Sequence, residues 1–168
     1  MIKFVASVDP GVKGCGVAIF IASYTSEYEL LYSKYVEGED ANQTALLTAS
    51  YITKTLGLQN TMNSLELVLE MPQIYAHKRR KQNDDNDLLQ LAYVNGLISG
   101  AMCLKPVLIQ PRCWKGTVAK DVMTRRIETW LSPTEWQRVG EKRKTKRHNV
   151  IDAIGLGIYY LRQNSHRK

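Results

Sequence analysis

Three carboxylate residues in this sequence stand where a charged side chain is unexpected. Asp9 ends the apolar run KFVASVD, Glu70 follows the apolar run LELVL, and Asp152 lies near the start of a final apolar segment. An unpaired carboxylate is costly to bury among hydrophobic neighbours, so a cation is expected close to each acid. Converging oxygen ligands favour magnesium or manganese over zinc. The three acids are therefore candidate ligands of a hard divalent cation.

Each acid also has an ordinary structural explanation. Asp9 could be a turn residue, Glu70 could pair with nearby basic residues, and Asp152 could interact with the dipole of a helix start. A shared site requires the three side chains to meet. If the first and fourth strands are parallel neighbours, their carboxyl ends bring Asp9 and Glu70 together, and the last helix has to carry Asp152 across them.

The order of predicted elements is βββαβαβαα, which would supply such a frame. Hydrophobic periodicity predicts strands at 3–9, 16–22, 29–36, 65–69 and 106–110, and helices at 42–56, 88–104, 118–131 and 149–162. Gly57 is expected to end the first helix, and Asp85, Asn86 or Asp87 to cap the second. We therefore predict one α/β domain over residues 1–168, with a five-stranded mixed sheet flanked by helices.

The composition agrees with a folded domain. The chain has 168 residues, of which 44% are hydrophobic and 23% charged, and this excludes a disordered chain or a coiled coil. No apolar stretch is long enough to cross a bilayer and no signal peptide is recognisable, so we expect a cytoplasmic protein. Cys15, Cys103 and Cys113 are far apart in sequence, which favours core packing over disulfides or zinc.

Positive charge is concentrated in the last third of the chain. Residues 112–168 hold 14 Lys and Arg against 5 Asp and Glu, within a formal net charge of +7. A basic loop is expected at about 138–147, followed by a short basic C-terminal tail. Such runs suit a polyanion, although a solvated loop is the plain alternative. The candidate DNA-binding residues are Lys78, Arg79, Arg80, Lys81, Arg112, Lys115, Lys120, Arg143, Lys144, Lys146 and Arg147.

The ordered motifs resemble one family. The segment DPGVKGCG from Asp9 to Gly16, the strand-end Glu70 and the segment DAIGL from Asp152 are similar to the RuvC Holliday-junction resolvases of the ribonuclease H-like superfamily, including phage-type members. The segment RCWKGTV after the fifth strand is similar to the basic helix-start segment of that family, and Lys115 stands at its lysine position. The resemblance implies a three-layer ribonuclease H-like fold and a homodimeric endonuclease that makes paired symmetric nicks in four-way DNA junctions.

The resemblance also implies the roles of the acids. Asp9 would bridge two Mg²⁺ or Mn²⁺ ions in each active site, and Glu70 and Asp152 would hold one ion each. Lys115 would stabilise negative charge on the phosphate. Two ions of this kind activate a water and stabilise the leaving oxygen of a phosphodiester.

One position departs from the family pattern. A fourth metal-site residue, usually Asp and sometimes His, is expected three residues before Asp152, where this sequence has Asn149 with His148 beside it. On a helix either residue shares a face with Asp152, since their spacings are i,i+3 and i,i+4. Asn149 fits the register and offers only a neutral oxygen, whereas His148 fits the chemistry or simply extends the basic loop. We keep both as candidates.

Two further features follow from the resemblance. Tyr75 is similar to the aromatic residue with which related resolvases stack on opened bases, or it is an ordinary loop tyrosine. The helix at 88–104 has apolar residues on more than one face, including Gly96 and Gly100, which fits either a dimer interface or a core-only helix. Association with a branch-migration motor is left open by the sequence.

Three other interpretations compete. The glycine-rich hairpin also resembles the first phosphate loop of actin-like kinases, but no second such hairpin is visible. A ribonuclease H-like nuclease acting on RNA:DNA hybrid or branched DNA would keep the same acids. A non-catalytic junction-binding protein would keep the basic surface alone.

Overall fold

The fold is built around one five-stranded sheet. The protein is described here from a computed structural model that covers residues 2–23, 27–57, 64–73 and 82–165, without the side chains of residues 82–86. The strands are β1 (Ile2–Asp9), β2 (Gly14–Ser23), β3 (Tyr28–Glu37), β4 (Leu65–Glu70) and β5 (Val107–Ile109). The helices are α1 (Ala41–Leu56), α2 (Gln82–Met102), α3 (Pro111–Trp114), α4 (Lys120–Trp130), α5 (Pro133–Gln137) and α6 (Lys144–Ser165).

The strand order in the sheet is β3-β2-β1-β4-β5. The first three strands pair antiparallel, as their short connections require, and β4 and β5 pair parallel after helical crossovers. Val8 of β1 lies opposite Leu69 of β4. Asp9 follows Val8, Glu70 follows Leu69, and the two strands run in the same direction. Asp9 and Glu70 therefore lie at the same end of the sheet, on neighbouring strands. The predicted parallel pairing is confirmed.

Helices cover both faces of the sheet, which confirms the predicted mixed-sheet α/β architecture. On one face, residues such as Phe20 and Ile154 form a core beneath α3, α4 and α6. On the other face, residues such as Ile19 and Ile98 form a second core beneath α1 and α2. The central strands β1, β2 and β4 are apolar on both sides because both sides are buried, as expected for the centre of a three-layer fold.

Helix α6 lies close to the sheet because small residues face it. A side chain on Gly157 would collide with Phe20 and Ser7, and the buried hydroxyl of Ser7 donates a hydrogen bond to the Ala153 carbonyl at 2.7 Å. This bond joins β1 to α6 one residue away from Asp152. The helix carrying the third acid is thus held against the strand carrying the first.

Several predicted boundaries need correction. Helix α2 begins at Gln82, so Asp85, Asn86 and Asp87 lie within it and none of them is its cap. Helix α6 begins at Lys144, five residues before the predicted start, because the basic segment continues the helix. Lys144, Lys146 and Arg147 therefore lie on its first turn and not in a loop. The expectation for α1 is confirmed: it ends at Gly57, whose φ of 62° is the left-handed geometry that glycine tolerates.

The last third of the chain contains more helices than the sequence indicates. Helices α3 and α5 have four and five residues, too short to produce a hydrophobic period. The cysteine prediction holds for Cys15, which is buried, and is wrong for Cys103 and Cys113, which are exposed. In the described part of the chain, no helix has the length and apolarity needed to cross a membrane.

Candidate active site

The three predicted acids converge at one edge of the sheet. Asp9 ends β1, Glu70 ends the neighbouring β4, and Asp152 lies on the third turn of α6. Burial raises the pKa of Asp9 well above its ordinary value, and the nearby charges of Glu70 and Asp152 raise it further. The carboxylates of Glu70 and Asp152 therefore repel a charge on Asp9.

Lys115 is the cation that lies among these acids. Its Nζ is 3.1 Å from Glu70 Oε2 and 3.4 Å from Asp152 Oδ2. Burial lowers the pKa of Lys115, but Asp152, Glu70 and Asp9 outweigh it and leave the pKa raised. The ammonium is therefore charged, and it joins the acid at the end of β4 to the acid on α6.

Trp114 fixes the orientation of Glu70. The indole Nε1 donates a hydrogen bond of 2.7 Å to Glu70 Oε2, and the Trp114 ring lies 4.8 Å from Lys115 Nζ. Glu70 is also held through its backbone, because the buried Asn95 of α2 donates from Nδ2 to the Glu70 carbonyl at 3.0 Å. Burial raises the pKa of Glu70, although Lys115 and Trp114 oppose that rise. Sequence reasoning gave neither Trp114 nor Asn95 a role.

Gly16 brings α6 down onto the site. It pairs with Asp9 across β1 and β2, and a Cβ at this position would overlap the main chain of Asn149 and Val150. The glycine predicted as part of a hairpin motif thus sets how closely the Asp152 helix approaches Asp9. The position of Asn149 is defined by this main-chain contact.

His148 lines a groove between α4 and α6. Burial lowers its pKa, Lys120 lowers it further, and Asp152 acts in the opposite direction. Its imidazole is therefore the neutral form near neutral pH, which can accept a proton or a metal. The groove has a volume of about 660 Å³. Its lining is mainly charged and consists of Lys120, Asp121, Thr124, Arg125, Glu128, Lys144, Arg147, His148 and Ile151.

The donor set of the site fits a hard cation. Three carboxylates that repel one another, with His148 close enough for Asp152 to act on its pKa, provide the surroundings that Mg²⁺ or Mn²⁺ prefers. Within the described ranges, no three His, Cys, Asp or Glu side chains are spaced to hold one ion. Lys115 occupies the position between Glu70 and Asp152 where a cationic partner belongs.

The predicted DNA-binding residues other than Lys115 lie in several places. Arg112 is exposed on α3, and Lys120, Lys144 and Arg147 line the groove beside His148. Arg143 and Lys146 form ion pairs with Glu37 at the end of β3. Tyr75, Lys78, Arg79, Arg80 and Lys81 lie outside the described residues.

Comparison with known proteins identifies the architecture. No protein-family profile and no curated protein matches the sequence. Among solved structures, Thermus thermophilus RuvC in complex with a Holliday junction substrate is similar with a TM-score of 0.66 and 15% identity over 97% of both chains. A second structure of Thermus thermophilus RuvC gives a TM-score of 0.57 and 13% identity over 97% of this chain and 98% of that one.

A eukaryotic protein has the same architecture. The yeast mitochondrial Holliday junction resolvase Ydc2 gives a TM-score of 0.60 and 13% identity over 96% of this chain and 79% of its own. At these identities the likeness concerns the fold. This chain therefore has the ribonuclease H-like fold of the RuvC type, with its three acids at one edge of the central sheet.

Proposed function

We propose that this protein is a structure-selective endonuclease that resolves four-way DNA junctions by paired symmetric nicks. The observation that carries the proposal is the convergence of Asp9, Glu70 and Asp152 around Lys115 on a RuvC-type fold. Raised carboxyl pKa values, as at Asp9 and Glu70, cluster at functional sites. The similar Thermus thermophilus protein is described in complex with a Holliday junction substrate, which supports the same class of substrate here.

The proposed reaction is the metal-dependent hydrolysis of a phosphodiester. Asp9, Glu70 and Asp152 would hold two Mg²⁺ or Mn²⁺ ions, with Asn149 or His148 completing the site. Such ions supply an activated water and stabilise charge on the reacting phosphate. The neutral imidazole of His148 is suited to accept a proton from that water.

Lys115 has a second task in this scheme. In the metal-free protein its ammonium neutralises Glu70 and Asp152. With divalent cations held by Glu70 and Asp152, the ammonium would be free to contact the phosphate, where its charge would stabilise the transition state. Trp114 also binds Glu70 Oε2, so its indole would still orient the carboxylate once the ammonium has moved to the phosphate.

The surface around the acids is suited to a DNA backbone. Lys120, Lys144 and Arg147 line the groove beside His148, and Arg112 is exposed on α3. Neutralising phosphates with these residues would make binding strongly salt-dependent. Tyr75 remains a predicted stacking residue at the junction centre, and Lys78, Arg79, Arg80 and Lys81 remain predicted DNA contacts.

Paired nicks require two copies of the site, and α2 offers a surface for a second chain. Leu89 and Tyr93 on α2 are 70% and 52% exposed, and Leu108 of the edge strand β5 is 50% exposed. Leu89 and Leu108 line an apolar groove of about 790 Å³ that also includes Met71. Exposed apolar surface of this kind is typical of an interaction site, and a two-fold dimer would place it face to face.

The test compares substrates in one assay. A labelled four-way junction, a linear duplex and an RNA:DNA hybrid are incubated with the protein in magnesium, manganese or chelator, and Asp9→Asn serves as the inactive control. We expect paired symmetric nicks in the junction alone, lost with chelator and with Asp9→Asn, while junction binding is retained. Cleavage confined to the hybrid would instead identify a hybrid nuclease. Tight junction binding without cleavage in either metal would identify an architectural protein.

A further inference from the structure

A tyrosine outside the predicted site lies in the same row of the sheet as Asp9. Asp9 pairs with Gly16 across β1 and β2, and Gly16 pairs with Tyr35 across β2 and β3. Paired residues project to the same face, and Gly16 faces α6 because its Cα lies against the main chain of Asn149. Asp9 and Tyr35 therefore flank one glycine on the active-site face, roughly 10 Å apart at two strand spacings.

The phenol of Tyr35 extends towards the catalytic end of the sheet. A Cβ on Gly14, the first residue of β2, would collide with the Tyr35 hydroxyl and ring. Gly14 directly follows the turn that begins at Asp9, so the hydroxyl lies over the start of β2 beside that turn. The charge of Asp9 is felt at Tyr35, which places the phenol within electrostatic reach of the acid site.

Two cations from the start of α6 lie over the Tyr35 ring. Lys146 Nζ is 5.2 Å and Arg143 Cζ is 6.0 Å from the ring centroid. Both cations pair with Glu37, which is half-exposed, and Arg143 is also held by the buried Glu141 through bonds of 2.8 and 3.0 Å. The glutamates orient the cations, and Glu37 is accessible enough to be displaced by a stronger anion.

The phenol remains a hydrogen-bond donor. Burial raises the pKa of Tyr35 and Glu37 raises it further, so the hydroxyl stays protonated at neutral pH. A neutral O–H donor beside an ammonium and an oriented guanidinium is a combination suited to the oxygens of a phosphate diester. On the described surface this combination lies next to the acids and on their face of the sheet.

We propose that Tyr35, with Lys146 and Arg143, binds a backbone phosphate of the strand that is cut, close to the scissile phosphate. The inference rests on the proposed nuclease function and adds a residue that positions the substrate. In this arrangement the DNA strand crosses the sheet surface over Gly14 and Gly16 of β2. Its scissile phosphate then meets Asp9 while a neighbouring phosphate replaces Glu37 as the partner of Lys146.

The first test removes only the hydroxyl. Tyr35→Phe retains the ring and its contacts with both cations, and Tyr32→Phe is the matched control because Tyr32 is exposed on the opposite face of the same strand. We expect Tyr35→Phe to raise KM for the junction about tenfold with little change in kcat, the loss of one hydrogen bond to a charged group. Tyr32→Phe should behave as wild type.

A second measurement locates the phosphate. Single phosphates flanking the cut are replaced by neutral methylphosphonates, and cleavage by wild type and Tyr35→Phe is compared at each position. We expect one position where the replacement weakens wild type about tenfold and has little further effect on Tyr35→Phe, because both changes remove the same bond. Equal penalties for both proteins at every position would overturn the proposal.

Binding in chelator separates this inference from the proposed function. Fluorescence anisotropy with an intact junction should give weaker binding for Tyr35→Phe than for Tyr32→Phe, whether or not wild type cleaves. Glu37→Gln should bind more tightly than wild type, since it frees Lys146 and Arg143 for DNA. If wild type does not cleave, the nuclease proposal fails while this comparison still decides the phosphate site. Unchanged binding in Tyr35→Phe together with weaker binding in Glu37→Gln would reject the site.

Discussion

The main chain of Asn149 lies directly on Gly16, the residue paired with Asp9 in the sheet. No side chain separates the β2 strand from α6 at this point. Asp152 follows Asn149 by one helical turn, so this contact fixes the height of the third acid above the first. The geometry of the site therefore depends on a residue that has no side chain.

Gly16→Ala is expected to damage the site by lifting α6. The new methyl group would overlap main-chain atoms of Asn149 and Val150, which cannot rotate away. We expect a loss of about 1–3 kcal/mol in unfolding free energy, as for other overpacked cores, and a sharp fall in cleavage. Chemical denaturation and the junction assay measure the two effects.

Gly100→Ala is the control for this substitution. Gly100 is exposed on α2 with open space around its Cα, so alanine should stabilise the helix by about 0.5–1 kcal/mol where Gly16→Ala destabilises the fold. Equal behaviour of Gly16→Ala and Gly100→Ala would contradict the role given to the Gly16 contact.

Asp9→Asn is expected to lose cleavage activity and to gain thermal stability. Burial and the charges of Glu70 and Asp152 all disfavour the ionised Asp9, and the amide removes that cost while keeping the shape. In chelator at neutral pH the variant should unfold at a higher temperature than wild type. Added Mg²⁺ or Mn²⁺ should stabilise wild type and leave Asp9→Asn nearly unaffected. A variant that melts earlier in chelator would argue against repulsion among the acids.

The strand-end acids were predictable because parallel neighbours end at the same edge of a sheet. The meeting of Asp9 and Glu70 could be predicted from strand order alone. The approach of Asp152 required only that the last helix packs across β1. Trp114 was not predictable, since its bond to Glu70 depends on the turn of the four-residue α3. The role of Tyr35 could not be predicted for a related reason. Strand register, and not composition, pairs Tyr35 with Gly16 and so places it on the same face of the sheet as Asp9.

Glu135 illustrates the same limit away from the site. This buried acid accepts the main-chain N–H of Leu30 at 2.8 Å and completes a capping box with Ser132. The sequence contains the S-x-x-E signature, but its tertiary bond to β3 spans more than a hundred residues. The S-x-x-E signature is local, whereas only the assembled fold reveals the link from α5 to the sheet.

Trp114→Phe should separate the role of Trp114 in orienting Glu70 from the packing of its aromatic ring. Phenylalanine keeps an aromatic ring near Lys115 and removes the donor to Glu70 Oε2. Groups that orient metal ligands typically contribute 10–100-fold to metal affinity or activity, so we expect cleavage to fall by about that factor. The fall should be partly recovered at high metal concentration.

Trp130→Phe provides the matched comparison for Trp114. Trp130 ends α4 and stacks against Arg162 at 4.5 Å, with contacts that belong to the α4–α6 packing. It should affect stability without changing the metal dependence of cleavage. If both variants shift the metal dependence equally, the indole bond to Glu70 has no special role.

Glu141 should make stability pH-dependent in the acid range. Hydrogen bonds from the side chain and main chain of Arg143 lower the pKa of Glu141 to about 2, against an unfolded value of about 4.3. The folded state thus favours the ionised form, and its contribution is complete above pH 4.3 and lost as the pH falls through 2. Glu141→Gln should be less stable than wild type at pH 7 and equal to it near pH 2.

The exposed Glu128 supplies the comparison for this pH series. Glu128→Gln removes the same charge from the surface of α4, so it controls for the change in net charge. Urea denaturation at several pH values measures both variants. A constant difference between wild type and Glu141→Gln across the series would mean that ionisation of Glu141 does not support the fold.

Lys115→Met tests whether the lysine substitutes for a cation in the metal-free site. Removing the ammonium leaves Glu70 and Asp152 without the charge that lies 3.1 and 3.4 Å from them. In chelator the variant should therefore melt below wild type, because a buried carboxylate has lost its partner. Divalent metal should restore more stability to Lys115→Met than to wild type, since it no longer displaces an ammonium. Cleavage should still be low, because the phosphate then lacks its cation.

The exposed Lys105→Met is the control for Lys115→Met. If divalent metal raises the melting temperature less in Lys115→Met than in wild type, the lysine helps to hold the ions.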